Sequence, residues 1–315
     1  MELPALSVII PVYNSSKYIR QCLDSVRDQT LRSLEAICVD DGSTDGSDSI
    51  VLEYAERDPR FRLVRQPNLG AGAARNNGIA HASGRYVHFL DSDDWLELYA
   101  YERIVRKLEE SGCDSCMFQK YTYDNDTGDI SYRIHAFDDD DHITSFENNP
   151  AFFIHNAVVP WNKITRRDVI VENGLRYDEI VCANDRTFHF SLVKCCRSIM
   201  VCRDVLLYYR VNNMASTVGT NRSIHYDAHF AAYESTMSRY KDSPEEVRRM
   251  VADVCFVDFF IFFDKAEPRF KERIYGQLHE FFNKVNLGFF HGSFSNYSWG
   301  KRMAYIRDHE RCPPE

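Results

Sequence analysis

Long apolar runs are missing from this chain. Crossing a bilayer as a helix takes ~20 consecutive apolar residues, and the nearest approach, Cys255 to Phe263, is broken by Asp258. No apolar stretch follows a basic start, so no secretory leader is expected. Positive charge is scarce too. The 38 Lys and Arg are outnumbered by 47 Asp and Glu, a net charge of −9, and a surface of that sign argues against a nucleic-acid partner. The ten cysteines include one Cys-x-x-Cys, Cys113 and Cys116, but no second pair at zinc spacing. They read as reduced thiols of a cytoplasmic protein, packed as small hydrophobes. A full dinucleotide fingerprint is lacking as well. Gly70-Ala71-Gly72-Ala73-Ala74-Arg75 follows a strand and opens a helix, yet Arg75 stands at the third glycine's position and the motif sits at the third strand rather than the first. That weighs against a nicotinamide enzyme.

What is present is an alternation of strands and helices. Leu6 to Pro11 is a continuous apolar run, expected of a strand buried on both faces. Val12 to Ser16 reads as a turn in which Ser15 or Ser16 caps a helix carrying Ile19, Cys22, Leu23 and Val26 at helical spacing. Leu34–Val39, Phe61–Val64 and Tyr86–Leu90 read as three more strands, with helices over Asp45–Arg57 and Gly70–Ala82 between them. This spacing predicts an α/β fold with a parallel sheet and right-handed crossovers.

Three of the four strands end on polar or acidic residues: Asn14, then Asp40 and Asp41, then Asp91, Ser92, Asp93 and Asp94. In a parallel sheet those ends line one crevice, where ligands bind. Three carboxylates there repel one another unless a cation sits among them, and Mg²⁺ or Mn²⁺ suits oxygen ligands. The competing reading is an acidic turn capping a helix that starts near Glu97. Together with Arg75 the set suggests a pocket for a ribose, a base and a metal-bound diphosphate.

Val8-Ile9-Ile10-Pro11-Val12-Tyr13-Asn14, Val39-Asp40-Asp41-Gly42-Ser43-Thr44-Asp45, Asn68-Leu69-Gly70 through Arg75-Asn76-Asn77-Gly78, and Leu90-Asp91-Ser92-Asp93-Asp94 resemble, in order and spacing, the family-two glycosyltransferases. The resemblance is strong over residues 6 to about 115 and weaker to about 217. It implies a GT-A fold, a mostly parallel sheet flanked by helices. The catalytic domain is expected over 1–217 and a helical C-terminal extension over 218–315. It implies an inverting, metal-dependent transfer of a hexosyl or N-acetylhexosaminyl group from a nucleotide-diphosphate sugar, most often a UDP-sugar. The acceptor is expected to be a saccharide or a lipid-linked hydroxyl, in cell-surface polysaccharide or glycolipid synthesis. Pro11, Val12, Tyr13, Asn14, Asp40, Asp41, Asn68, Arg75, Asp91 and Ser92 would surround the nucleotide, with Arg75 near base or phosphate. Asp93 would ligate Mn²⁺ or Mg²⁺.

Asn184-Asp185-Arg186 opens a predicted helix to about Cys196. The family carries Glu-Asp at this place and uses the Asp as catalytic base, which implies that role for Asp185. Here Asn184 replaces the Glu, and an Asp in a first turn is also a plain helix stabiliser. Trp161 and Lys163 resemble the family's Trp-x-Lys segment, and Arg210, with Ser216-Thr217 beyond, its Tyr-Arg stretch closing over the diphosphate. The alternatives are a core anchor for Trp161 and a surface ion pair for Arg210. Asp138 to Asp141 follows no apolar strand and reads as a solvated loop.

Beyond about Ile224 the pattern is helical: His225–Tyr240, Pro244–Lys265 and Pro268–Leu287. Phe256, Phe259, Phe260, Phe262, Phe263, Phe281, Phe282, Phe289 and Phe290 are an aromatic excess, and Lys265, Arg269, Lys271, Arg273, Lys284, Lys301 and Arg302 make this tail basic. Packing on the catalytic domain is the ordinary explanation. A homodimer contact, or peripheral contact at the inner face of the membrane, is the sharper one. Two rivals to a transferase remain. A nucleotidyltransferase would want a glycine-rich loop with Arg and Lys after the first strand, which Pro11-Val12-Tyr13-Asn14 does not offer. A non-catalytic nucleotide-sugar binding module would need no base.

Overall fold

The computed structural model describes residues 3–132, 140–156, 158–213 and 225–284, without side chains at 256–265, 275, 278–279 and 281–284. Two units separate, 1–220 and 221–315. In the first, β1 (Leu6–Val12), α1 (Ile19–Arg27), β2 (Leu34–Asp40), α2 (Ser47–Arg57), β3 (Phe61–Arg65), α3 (Ala71–His81) and β4 (Tyr86–Phe89) follow the expected alternation. There follow β5 (Trp95–Leu96), α4 (Ala100–Ser111), β6 (Ser115–Asp124), β7 (Ile130–Ser131), β8 (His142–Thr144), α5 (Pro150–His155), β9 (Lys163–Arg166), α6 (Arg167–Glu172), α7 (Asn184–Cys195) and β10 (Ile199–Val211).

The sheet runs β3-β2-β1-β4-β9-β6-β10-β5. Its first four strands are parallel: Val8 pairs with Ala36 and with His88, and Cys38 with Leu63. Val8, Ile9 and Ile10 are all fully buried, as a central strand covered on both faces requires. Then β9 enters antiparallel to both β4 and β6, while β10 returns parallel to β6. The sheet is therefore mixed but mostly parallel. Its core holds Ile19, Leu23 and Val26 of α1 and Tyr101, Ile104 and Leu108 of α4 against the sheet.

Three local expectations are corrected. No helix starts at the acidic turn: Trp95 and Leu96 pair antiparallel with Tyr208 and Leu207, and α4 begins at Ala100. The cause is aromatic packing, since Trp95 lies flat on Tyr208, ring centres 5.0 Å apart and planes 4° apart. Neither Ser15 nor Ser16 caps α1, whose N-cap is Tyr18; the carbonyl of Ser15 accepts from Tyr18 N and Ile19 N instead. Finally β10 is longer than Val205–Val211, because Ile199 to Val201 already pairs with Ser115 to Met117.

The second unit contains α8 (Tyr226–Arg239), α9 (Glu245–Lys265) and α10 (Pro268–Lys284). Asp227 of α8 accepts from Arg273 and Gln277 of α10, and Tyr226 lies beside Phe270. Ser216, Thr217, Phe289, Phe290, Lys301, Arg302 and Asp138 lie outside the described residues, as do the side chains of Lys265, Lys284 and the helical phenylalanines from Phe256 to Phe263 and at Phe281 and Phe282. Among the described residues no helix is long and apolar enough to cross a membrane.

Candidate active site

The crevice is built where β1, β2 and β4 end. Asn14 leaves β1 with a positive φ of 47°, a conformation asparagine tolerates better than most residues. Its side-chain oxygen accepts from Thr44 N (2.8 Å), and its own N–H donates to Ser43 Oγ. Asp45, which the sequence reading left without a role, ties the loops together: it accepts from Ser16 N, Ser47 N and Ser47 Oγ. Burial pushes its carboxyl up, but those bonds hold it at about 2. Asp40 accepts weakly from Ser43 N (3.3 Å). Asp41 is fully engaged with the chain itself, accepting from Gln66 Nε2, Leu69 N and Gly70 N at 2.8 Å each. It organises the 66–70 loop. Asn68 is exposed, Pro11 partly so, and Tyr13 is 49% exposed. The side chain of Val12 is fully buried in the core, and its carbonyl accepts from Asp41 N.

The acidic turn spreads its four residues among different partners. Asp91 takes Arg75 at 2.7 Å, Ser92 Oγ lies 2.7 Å from Ser15 Oγ, and Asp93 Oδ2 accepts from Asn213 Nδ2 (2.8 Å). Asp94 Oδ1 accepts from Arg210 N (2.9 Å), while its Oδ2 is buried and takes no hydrogen bond from any described residue. Burial, followed by the charge of Asp91, raises the pKa of Asp93; burial, followed by the charges of Asp93 and Asp91, raises that of Asp94 much further. Carboxylates that hinder one another's ionisation in spite of Arg75 and Arg210 beside them, with one buried oxygen unpaired, form a hard-oxygen donor set. A divalent cation fits it. Asp91 and Asp93 each keep a second oxygen outside the bonds just named.

Arg210 is not the surface ion pair of the alternative reading. It is 6% exposed. Its Nε donates to Asp93 O (3.0 Å), Nη1 to Asn125 Oδ1 (3.0 Å) and Nη2 to Gln21 Oε1 (2.7 Å). The guanidinium lies 4.5 to 5.0 Å from the ring centres of Tyr18, Trp95 and Tyr123. It clamps the backbone of the acidic turn.

On the opposite wall, α7 begins after Ala183, which is held at φ 55°. Among the described residues the non-glycine positive φ values are Asn14, Ala183 and Asn212, all at the ends of site-bearing elements, where such strain tends to persist. Asp185 sits in the first turn of α7, one residue past its start, and does not cap it. Burial raises its pKa, opposed by the charges of Arg75 and Arg186. Raising a carboxylate's proton affinity makes it a better base near neutral pH. Lys163 lies near enough for Asp185 to stabilise its charge, but burial dominates and brings it down to about 7. Its ammonium donates to Val159 O at 2.6 Å and to Asn162 Oδ1, so its described bonds are local ones. Trp161 is a core anchor: 4% exposed and stacked on Tyr209. Its carbonyl accepts from Nε2 of His88, so that Nδ1 is left to accept from Tyr101 Oη. Burial pushes His88 down to about 4 and keeps the ring neutral.

A second acidic cluster, Asp141, Cys202 and Asp204, has ligand atoms mutually within 4.8 Å. It does not need a cation. Lys107 pairs with Asp141 and Asp204, and Arg103 with Asp204. A cavity of about 460 Å³ lined by Arg103, Lys107 and Asp141, among others, borders this network and shares no residue with the acidic turn.

Residues 7–173 match the model of the glycosyl transferase family 2, and the chain belongs to that family. It is 32% identical to EpsH of Bacillus subtilis (strain 168) over 79% of its own length and 73% of EpsH, and 33% identical to the uncharacterized glycosyltransferase YibD of Escherichia coli (strain K12) over 71% and 67%. Among solved structures it resembles S. aureus TarS 1–349 in complex with UDP-GlcNAc, with a TM-score of 0.61 at 18% identity over 92% of this chain and 93% of that one. It also resembles a mannosyltransferase of Pyrobaculum calidifontis in complex with GDP-Man and Mn²⁺, with a TM-score of 0.54 at 17% identity over 99% and 81%. At these identities the structures speak for the GT-A fold.

Proposed function

We propose that this glycosyltransferase moves a sugar from a UDP-sugar to a hydroxyl of a saccharide or lipid-linked acceptor, inverting the anomeric carbon, with a divalent cation at Asp91 and Asp93. The observation that carries the reading is that Arg75 joins the acidic turn, through Asp91, to Asn184 beside Asp185, so that crowded carboxylates and a carboxyl of raised proton affinity belong to one cluster. The UDP-GlcNAc complex of TarS and the GDP-Man and Mn²⁺ complex of the P. calidifontis mannosyltransferase support it.

Three jobs divide among the residues. Tyr13, Pro11, Asn14 and Asn68 line the nucleotide, with Asp40 and Asp41 shaping the loops that carry them. A cation bound at the acidic turn would act as Lewis acid on the departing diphosphate. Asp185 accepts the acceptor's proton as the bond to the sugar breaks through an oxocarbenium-like transition state. A weak base suffices when the hydroxyl is already attacking and the reactants are held in line. Residues 1–217 form the catalytic domain in this reading. The helical part from 218 onward contacts a second copy or the inner face of the membrane, where a lipid-linked polysaccharide or glycolipid precursor would be met.

The test is a panel of nucleotide sugars assayed for UDP release with Mn²⁺ or Mg²⁺ and in excess EDTA. UDP with metal only supports the proposal. Pyrophosphate release would make the chain a nucleotidyltransferase, and tight binding without turnover a module. Asp185→Asn should lower kcat roughly 10²-fold or more with UDP affinity unchanged; near-parental transfer would move the base elsewhere.

A further inference from the structure

Arg75 stands between the two walls. It is 6% exposed. Nη2 donates to Asp91 Oδ1 at 2.7 Å and Nη1 to Asn184 Oδ1 at 2.9 Å, a partner 109 residues away. The guanidinium lies 5.2 Å from the ring centre of Tyr177. Its helical neighbours grip the same wall. Asn76 Oδ1 accepts from Tyr177 N (2.8 Å), and Asn76 Nδ2 donates to Tyr177 O and Glu179 Oε1. Gly72 leaves no room there: a Cβ would lie 2.2 Å from Asp178 O and 3.2 Å from Asn184 Cβ. Gly72, Arg75 and Asn76 are spaced i, i+3, i+4, one face of α3. That face carries the whole 177–184 segment leading into Asp185.

We infer that Arg75 is a positioning residue, a strut that holds the acidic turn and the Asp185 helix at a set separation through Asp91 and Asn184. The inference deepens the proposed function and rests on it for the meaning of that separation. Two of the guanidinium's nitrogens are committed to protein oxygens, and the third, Nε, is buried without a described partner. A planar fork bonded at both tips fixes direction as well as distance. Asn184 is the informative partner. It accepts as a carboxylate would, but places no second negative charge beside the base. The strut therefore keeps its geometry, while the charge of Arg75 is shared between Asp91 and the field at Asp185.

The test uses the full chain with three substitutions. Asn184→Ala removes one arm and leaves every charge. Arg75→Lys keeps the charge and loses the fork. Asn184→Asp restores an acceptor. The first two should lower kcat roughly 10- to 100-fold, the scale of an ångström-sized misplacement. In Asn184→Ala the donor KM and the calorimetric Kd for UDP with Mn²⁺ should stay within about twofold, while Arg75→Lys, which loosens Asp91, should also weaken Mn²⁺ binding. Asn184→Asp should recover most of the rate lost in Asn184→Ala. Amide hydrogen exchange at 177–186 should rise in the first two variants and return in the third. A role in nucleotide binding alone predicts a higher Kd for UDP in Arg75→Lys with no effect of Asn184→Ala on rate or exchange, and that result would overturn the strut. If the parent releases no UDP from any nucleotide sugar, the functional reading fails; the exchange data then judge the strut alone, and unchanged protection at 177–186 sinks it.

Discussion

Replacing Arg210 by methionine keeps much of the side chain's length and removes its charge and donors. Three hydrogen bonds are lost. Gln21 is exposed and can turn to water, so its share is small. The Asp93 carbonyl and the partly buried Asn125 are left short of a donor, at about 1–3 kcal/mol each. The contacts with Tyr18, Trp95 and Tyr123 add about 0.5–1 kcal/mol each, partly retained by methionine. The expected loss is about 3–5 kcal/mol, which for a domain of this size lowers Tm by about 10 °C. The chain should still fold, since domains commonly hold about 5–15 kcal/mol. A loosened acidic turn should bind Mn²⁺ about 10- to 100-fold more weakly, as when a residue supporting metal ligands is lost. Arg210→Lys, keeping the charge and one donor, should fall between. The assays are thermal unfolding with and without Mn²⁺, and titration of Mn²⁺ at fixed UDP. If Arg210→Met leaves Tm and Mn²⁺ affinity intact but weakens UDP alone, Arg210 meets the diphosphate and the clamp argument is wrong.

Asp94→Asn should raise the Tm of the metal-free protein at neutral pH, because a buried carboxyl with a raised pKa contributes stability that is present in acid and lost as pH climbs through its folded value; the advantage over the parent should shrink on acidification and on adding Mn²⁺, and an advantage indifferent to pH would contradict the charge argument. Gly72→Ala drives a methyl into Asp178 O, so about 1–3 kcal/mol of stability should be lost together with a fall in transfer rate beyond what the unfolded fraction explains; equal stability and rate would show that the 177–184 segment yields freely. Lys107→Met strips a partner from Asp141 and Asp204, and unfolding should show a loss of about 1–3 kcal/mol that neither Zn²⁺ nor Mn²⁺ restores; rescue by metal would turn that cluster into a metal site after all.

Much of the fold was legible because its signals are local. Apolar runs that stop on acids, separated by helical periods, dictate strands, helices and the edge on which Asn14, Asp40, Asp41 and Asp91 to Asp94 gather. One face of α3 was open to reading as well: Gly72, Arg75 and Asn76 share it by spacing alone, though what that face grips is not written near them. Everything that depended on a distant partner waited for the tertiary structure. Trp95 and Leu96 became a strand because Tyr208 and Leu207 came alongside. The antiparallel β9 slid between β4 and β6, and Trp161 and Lys163 went inside with it. Arg210 became a clamp on the acidic turn because Gln21, Asp93 and Asn125, far apart in sequence, converge on one guanidinium. Periodicity says which face of an element is apolar. Which charged side chain meets which backbone carbonyl is settled only when the burial of every neighbour leaves it a single unsatisfied group to bond.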